Sequence, residues 1–134
     1  MSEDRTRLSN LHKQFPRVFG KERKDQDMFE HAEGWTELLT LLAARINTIL
    51  KADPSATMQI LQIKEKFGEL RFYYRLSDAS EATQAAVREA VDAAREASAF
   101  VCEACGQPGI LQTSKSGWIR VRCLDCMVSE RFNG

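Results

Sequence analysis

From Trp35 onward, apolar residues recur at Leu38, Leu39, Leu42, Ile46, Ile49 and Leu50. Steps of three and four put these positions on one side of a helix, and so wide a stripe predicts a helix at the centre of the core. The stripe stops before Ala52-Asp53-Pro54, where proline, lacking an amide, ends the hydrogen-bond ladder. Leu8, Leu11, Phe15 and Val18 show the same period over residues 5–19 and predict a short amphipathic helix that stops near Pro16. Between these segments, Gly20 to Asp27 is charged and reads as a loop.

Beyond Pro54 the period changes. Met58, Ile60, Leu61 and Ile63 lead through Lys64-Glu65-Lys66 and Phe67-Gly68 into Leu70-Arg71-Phe72-Tyr73-Tyr74-Arg75-Leu76. In that last run Leu70, Phe72, Tyr74 and Leu76 alternate with Arg71, Tyr73 and Arg75, which is the period of a strand with one buried face. With Gly68 supplying a permissive turn backbone, the segment predicts a β-hairpin. Asp78-Ala-Ser-Glu81 fits a capping box, and residues 79–99, rich in alanine with Val87, Val91 and Ala94 at helical spacing, predict a second long helix with a smooth face. It runs into Phe100-Val101-Cys102 with no intervening linker.

Composition narrows the class. The 134 residues are 43% hydrophobic and 28% charged, the balance of one ordinary folded domain, which excludes disordered, collagen-like and coiled-coil chains. Met-Ser-Glu-Asp-Arg at the start lacks the apolar centre of a signal peptide and no stretch is apolar enough to span a membrane, so a cytoplasmic location is expected. The 19 basic and 19 acidic side chains cancel, which argues against a protein that binds nucleic acid by bulk charge, since phosphate affinity comes from clustered Lys and Arg.

The chemistry-bearing residues are four cysteines. Cys102-Glu-Ala-Cys105 and Cys123-Leu-Asp-Cys126 each hold two residues between partners, with seventeen residues between the pairs. In a reducing compartment this spacing indicates a four-cysteine zinc site rather than a disulfide framework. A two-residue gap lets one tight turn aim both sulfurs at one ion, and two such turns complete a tetrahedron. Gly106 directly after Cys105 helps the first turn close. Gly109 to Thr113 and Gly117 to Cys123 can pair through Ser114-Lys115-Ser116, giving a zinc ribbon. Buried free thiols and a redox Cys-x-x-Cys are the competing readings, but a redox motif needs only one pair. Four protein ligands leave no open position for water, so the expected Zn2+ is structural. His12 and His31 lie far from the cysteines in sequence and are read as surface or cap residues.

The expected fold is α+β: helices packed on a small antiparallel hairpin sheet, with residues 1–99 forming the body. Residues 100–134 form a zinc ribbon packed on it, the two making one compact unit.

The block Ile63-Lys-Glu-Lys-Phe-Gly-Glu-Leu-Arg-Phe-Tyr-Tyr74, then Cys102-Glu-Ala-Cys-Gly-Gln-Pro-Gly109, Gly117-Trp118 and a closing metal pair resembles a family of small uncharacterised tailed-phage and prophage proteins. In that family a Lys-Glu-Lys-Phe-Gly-x-Leu-Arg-Phe-Tyr block precedes Cys-Glu-x-Cys-Gly-x-Pro-Gly. An upstream Gly-Trp, here Gly34-Trp35, opens a helix. The resemblance covers about Phe29 to Cys126 and departs at the last ligand, often His in relatives and Cys126 here; either completes a zinc shell. It implies a phage-derived accessory protein that works by binding, without implying an activity.

No Ser/His/Asp arrangement, phosphate-cradling glycine loop or His-Glu-x-x-His helix is present, so an enzyme is not expected. The leading expectation is a non-enzymatic zinc-binding protein that binds a host or phage macromolecule, most naturally a protein, as an inhibitor of a bacterial defence or host enzyme would. The alternative is a nucleic-acid-binding ribbon. Trp118, Arg120 and Arg122 share one face by period two with Lys115 at the tip, and Arg71, Tyr73 and Arg75 repeat the pattern on the first hairpin. The bland reading of both faces is Trp118 as a lid over the zinc core and the arginines as partners of acidic residues on the alanine-rich helix. A hydrolase acting on nucleic acid is a weaker third possibility. Oligomeric state is left open.

Overall fold

Helix α2, Thr36–Lys51, takes the apolar stripe as its inner face and buries Leu39, Leu42, Ala43, Ile46 and Leu50. Trp35, in the 3-10 turn Glu33–Trp35 that leads into it, is wholly enclosed. At its end the amides of Ala52 and Asp53 close onto Ile49 O and Leu50 O, and Pro54 prevents a further turn. The computed structural model describes residues 11, 13–19, 29–30, 33–113 and 116–133. Within these, Leu11, Lys13 and Gln14 are helical, the helix breaks at Phe15, and Pro16 opens a new short helix, α1, Pro16–Phe19. Leu11, Val18 and Phe19 reach the core; Leu8 and the expected loop from Gly20 to Asp27 lie outside the described residues.

The expected hairpin is present as β2, Thr57–Lys66, and β3, Glu69–Ser77, paired antiparallel from Thr57↔Ser77 to Lys66↔Glu69. Its two-residue turn holds Phe67 at φ 55° and Gly68 at φ 76°, the pair of positive angles whose twist matches the strands it joins. The Gly68 amide donates to the Glu65 carboxylate at 2.7 Å. On β3, Leu70 and Phe72 are buried and Tyr73 and Arg75 exposed, as period two requires. On β2 the register slips between Ile60↔Tyr74 and Gln62↔Tyr73. Leu61 is the extra residue of this bulge, so Ile60 and Ile63, three apart, both reach the core while Leu61 stays outside.

Two departures from the expected sheet and cap follow. A two-residue strand, β1, Phe29–Glu30, adds parallel to β2, making the sheet three-stranded in the order β1-β2-β3. Two residues are too short for periodicity to register. Helix α3, Glu81–Ser98, is capped by Ser80 rather than Asp78: the Thr83 amide donates to Ser80 Oγ at 3.1 Å, while Asp78 sits at φ 57°, turns the chain and accepts the Ser55 hydroxyl at its carbonyl. Val87, Ala90 and Ala94 pack α3 against the core, and buried Ser98 accepts the Leu70 amide at 3.0 Å, tying helix to hairpin.

The C-terminal hairpin consists of β4, Ile110–Thr113, and β5, Ile119–Arg122, followed by a helix the periodicity did not predict, α4, Leu124–Asn133. It lies directly on the body. Trp35 Nε1 donates to Val101 O at 3.2 Å, and the Gly34 amide donates to Glu103 O at 2.8 Å. A side chain at Gly34 would overlap Cys102 O, which is why glycine stands there. At the other end, a Cβ on Gly68 would come within 2.5 Å of Leu111 Cδ1, so the tip of the first hairpin presses on the second.

Candidate metal centre

The first cysteine pair is shaped by a tight backbone turn. Cys102 N–H donates to Gln107 O at 2.8 Å and Gly106 N–H to Cys102 O at 2.9 Å, closing the loop over Cys105. Gly106 takes φ 84°, and a Cβ there would meet Gly34 O at 3.0 Å, so both angle and space call for glycine. The second pair straddles an element boundary: Cys123 follows β5 and Cys126 lies in the first turn of α4, its amide 3.4 Å from Cys123 Sγ.

These turns bring the four thiols of Cys102, Cys105, Cys123 and Cys126 together, every Sγ within 4.8 Å of the others. Sulfurs about 2.3 Å from a tetrahedral zinc sit about 3.8 Å apart. Cys105 and Cys123 already stand at 3.5 Å, and none of the four is in a disulfide. Cys102 is buried, Cys105 exposed and the other two half-buried, so the group sits at the surface with one wall in the protein.

Burial opposes ionisation of Cys102, but the amides of Cys123, Cys105 and Ala104 outweigh it and bring that thiol down to about 7. Cys126 moves the other way, pushed up by burial and by the sulfurs of Cys123, Cys105 and Cys102. Ionisation is thus favoured at Cys102 and opposed at Cys126, a conflict that a divalent cation relieves. The geometry and donor set fit a soft or borderline metal ion.

Glu103, between Cys102 and Cys105, is not singled out by the spacing of the sequence. It is 3% exposed. Its amide donates to Val121 O at 3.1 Å while its carboxylate accepts the Val121 amide at 2.6 Å, so one residue acts as a strand partner to β5. Burial pushes its carboxyl up, whereas the Val121 amide and Arg122 favour the charged form. The Arg122 guanidinium lies 3.6 Å from it. The first ligand turn is thereby stitched to the strand that delivers Cys123. No spacing rule carries this signal; a lone acidic residue inside a Cys-x-x-Cys turn is the only hint.

Comparison with protein-family models, curated proteins and solved structures gives no match.

The other predicted residues fall on two separate sheets. Trp118, 62% exposed, precedes β5; Arg120 and Arg122 lie along it, with the Arg122 side chain turned onto Glu103 and Val121 O. On β3, Arg71 pairs with Glu69 at 3.3 Å, Arg75 reaches Gln59 at 3.5 Å, and Tyr73 is 41% exposed. Lys115, His12 and His31 lie outside the described residues. Among the described residues no helix is long and apolar enough to cross a membrane.

Proposed function

We propose that this chain is a non-enzymatic binding protein whose C-terminal ribbon is held by one structural zinc ion on Cys102, Cys105, Cys123 and Cys126. The observation that carries the reading is the convergence of four thiols within 4.8 Å on two short turns. When bound, the ion neutralises the thiolates and closes the ribbon; four sulfurs fill its shell and leave no place for a reacting water. The chain's own residues do the rest. Glu103 joins the first turn to β5, Gly106 lets that turn close, and Gly34 and Trp35 dock it on the body.

Its target is a macromolecule of a phage or its host, as the resemblance to tailed-phage proteins suggests, and a protein is the better-supported class. The net charge is zero, Arg122 is engaged with Glu103 and Arg71 with Glu69, while aromatic anchors such as Trp118 and Tyr73 are the side chains that usually carry protein interfaces. The exposure of the same two aromatics supports the second reading, bases of single-stranded nucleic acid stacked on Trp118 or Tyr73.

Elemental analysis of protein never exposed to chelator should return one zinc per chain; a value near zero, or a Cys102–Cys105 disulfide, overturns the metal reading. Anisotropy titration with mixed-sequence oligonucleotides at about 0.15 M salt should show no tight binding. Submicromolar affinity lost in Arg120→Ala would put the nucleic-acid reading first.

A further inference from the structure

Val121 spends its amide and carbonyl on Glu103, not on β4. In an antiparallel ladder both groups of a residue point the same way, so the facing pair Leu111↔Val121 is a non-hydrogen-bonded one. The amide and carbonyl of Leu111 therefore point away from β5, and by period two so do those of Thr113. The same parity holds at Gly109, whose outward amide donates to Phe100 O at 2.9 Å, beside a Val101↔Pro108 bridge. The outer edge of β4 is thus covered as far as Gly109 and open beyond it: the sheet has two strands, and among the described residues nothing pairs with Leu111 or Thr113 there.

Apart from its shortness, four residues, this edge carries none of the protections that side chains and backbone irregularities give. Ile110-Leu111-Gln112-Thr113 contains no charge, proline or bulge, the devices that keep exposed strands from pairing. Ile110 is 65% and Leu111 55% exposed, with Phe100 (69%) at the covered end and Phe67 (63%) on the turn that presses on Leu111.

We propose that the open edge of β4 is a self-association surface, on which a second copy of this chain adds its own β4 antiparallel to form a four-stranded sheet. A two-fold axis through Gln112 pairs Leu111 with Thr113 of the second copy, and the reverse. All four backbone groups on each chain are then satisfied, with Gln112 facing its own counterpart. No charge meets a like charge, because the strand has none. Phe67, Phe100, Ile110 and Leu111 leave about 500 Å2 of side chain exposed around this edge on each chain, an apolar reserve on both faces of the sheet from which two copies draw toward the roughly 1,000 Å2 of a specific interface. The edge belongs to the metal-held ribbon, so the proposal rests on the metal reading.

The test uses the zinc-loaded full chain in sedimentation velocity over a wide concentration range, with zinc measured on the same samples. A reversible dimer is expected. Gln112→Lys and Gln112→Glu each place like charges against each other on the two-fold axis and should weaken association by about tenfold or more, whereas an equimolar mixture of the two should recover it. In hydrogen exchange the Leu111 and Thr113 amides should gain protection with concentration, while the Val121 amide is protected throughout. A zinc-bound monomer at every concentration overturns the proposal and leaves the metal reading standing. A dimer indifferent to both Gln112 variants overturns it too, as does one whose Leu111 and Thr113 amides stay open. Protection of those amides only by another protein's extended segment would reassign the edge to that partner. Absence of zinc would overturn the metal reading itself.

Discussion

The β2–β3 hairpin sets Ile60, Ile63, Leu70 and Phe72 into a core shared with α2 and α3, whereas the β4–β5 hairpin fully buries only Val121 and leaves Ile110 and Leu111 in solvent. The first has strands of ten and nine residues and a turn whose twist suits them; the second has two strands of four. Strands that short, with one buried apolar residue, do not stabilise themselves. What the ribbon has instead is polar and local: four thiols, the Glu103 clamp on β5 and the contacts of Gly34 and Trp35. A hairpin held by area tolerates the loss of any one polar group, whereas a hairpin held by a few specific groups depends on each.

The strongest way to break the ribbon alone is to remove one of the four thiols of the proposed zinc site. Cys123→Ser, or chelation of the wild type, should abolish exchange protection from about residue 101 onward while residues 35–76 stay protected. Structural zinc sites of this kind contribute about 10 kcal/mol or more of binding free energy to folding. Collapse of protection everywhere would mean that the two hairpins form one cooperative unit, and the contrast between them would fail.

The converse change is Ile60→Ala, which empties a position at the heart of the first hairpin. It should cost about 2–5 kcal/mol in chemical denaturation. Leu61→Ala, one residue away but on the bulge and exposed, should cost little. Equal losses at the two positions would show that the bulge is misplaced.

Glu103→Gln sharpens the comparison on the ribbon side. The amide oxygen can still accept from Val121, but the charge that faces Arg122 is lost, and about 1–2 kcal/mol of local stability should go with it. The reading is faster exchange at Val121 with little change at Ile60. No difference at Val121 would remove Glu103 from the clamp.

The smallest effect lies in the body's acid limb. Asp53 accepts the Ser80 amide at 3.0 Å and the Ser55 hydroxyl at 3.1 Å, and its carboxyl is held below the ordinary range first by that amide and then by Thr83. A depressed folded value means that its contribution is complete above the unfolded carboxylate value, about 3.9, and disappears as pH falls through the folded one. Asp53→Asn should therefore flatten the stability curve below about pH 4 and leave it parallel to wild type at neutral pH. An unchanged acid limb would show that the carboxylate does not link α2 to the cap of α3.

Much of this was legible in the chain itself. The wide stripe of α2, the alternation of β3 and the alanine-rich α3 are one-dimensional records of which face is buried, because helix and strand periods are local geometry. The two Cys-x-x-Cys pairs are likewise local: two residues between sulfurs is what one turn needs to aim both at one point. Other features belong to positions distant in sequence and leave no period. Ile60 and Ile63 break strict alternation and make sense only once β3 supplies the register that puts Leu61 on a bulge. The two residues of β1 become a strand only because β2 lies beside them. Glu103 is an ordinary acidic residue until β5 brings the Val121 amide to it, and Gly34 an ordinary glycine until the Cys102 carbonyl fills the place of its missing side chain. Local sequence determined the long elements α2, β2, β3 and α3 and which residues can hold a metal. Tertiary structure alone decided what each backbone group pairs with, since a hydrogen bond or a close approach between positions some 18 or 66 residues apart is set by the packing of whole elements and by no pattern within either one.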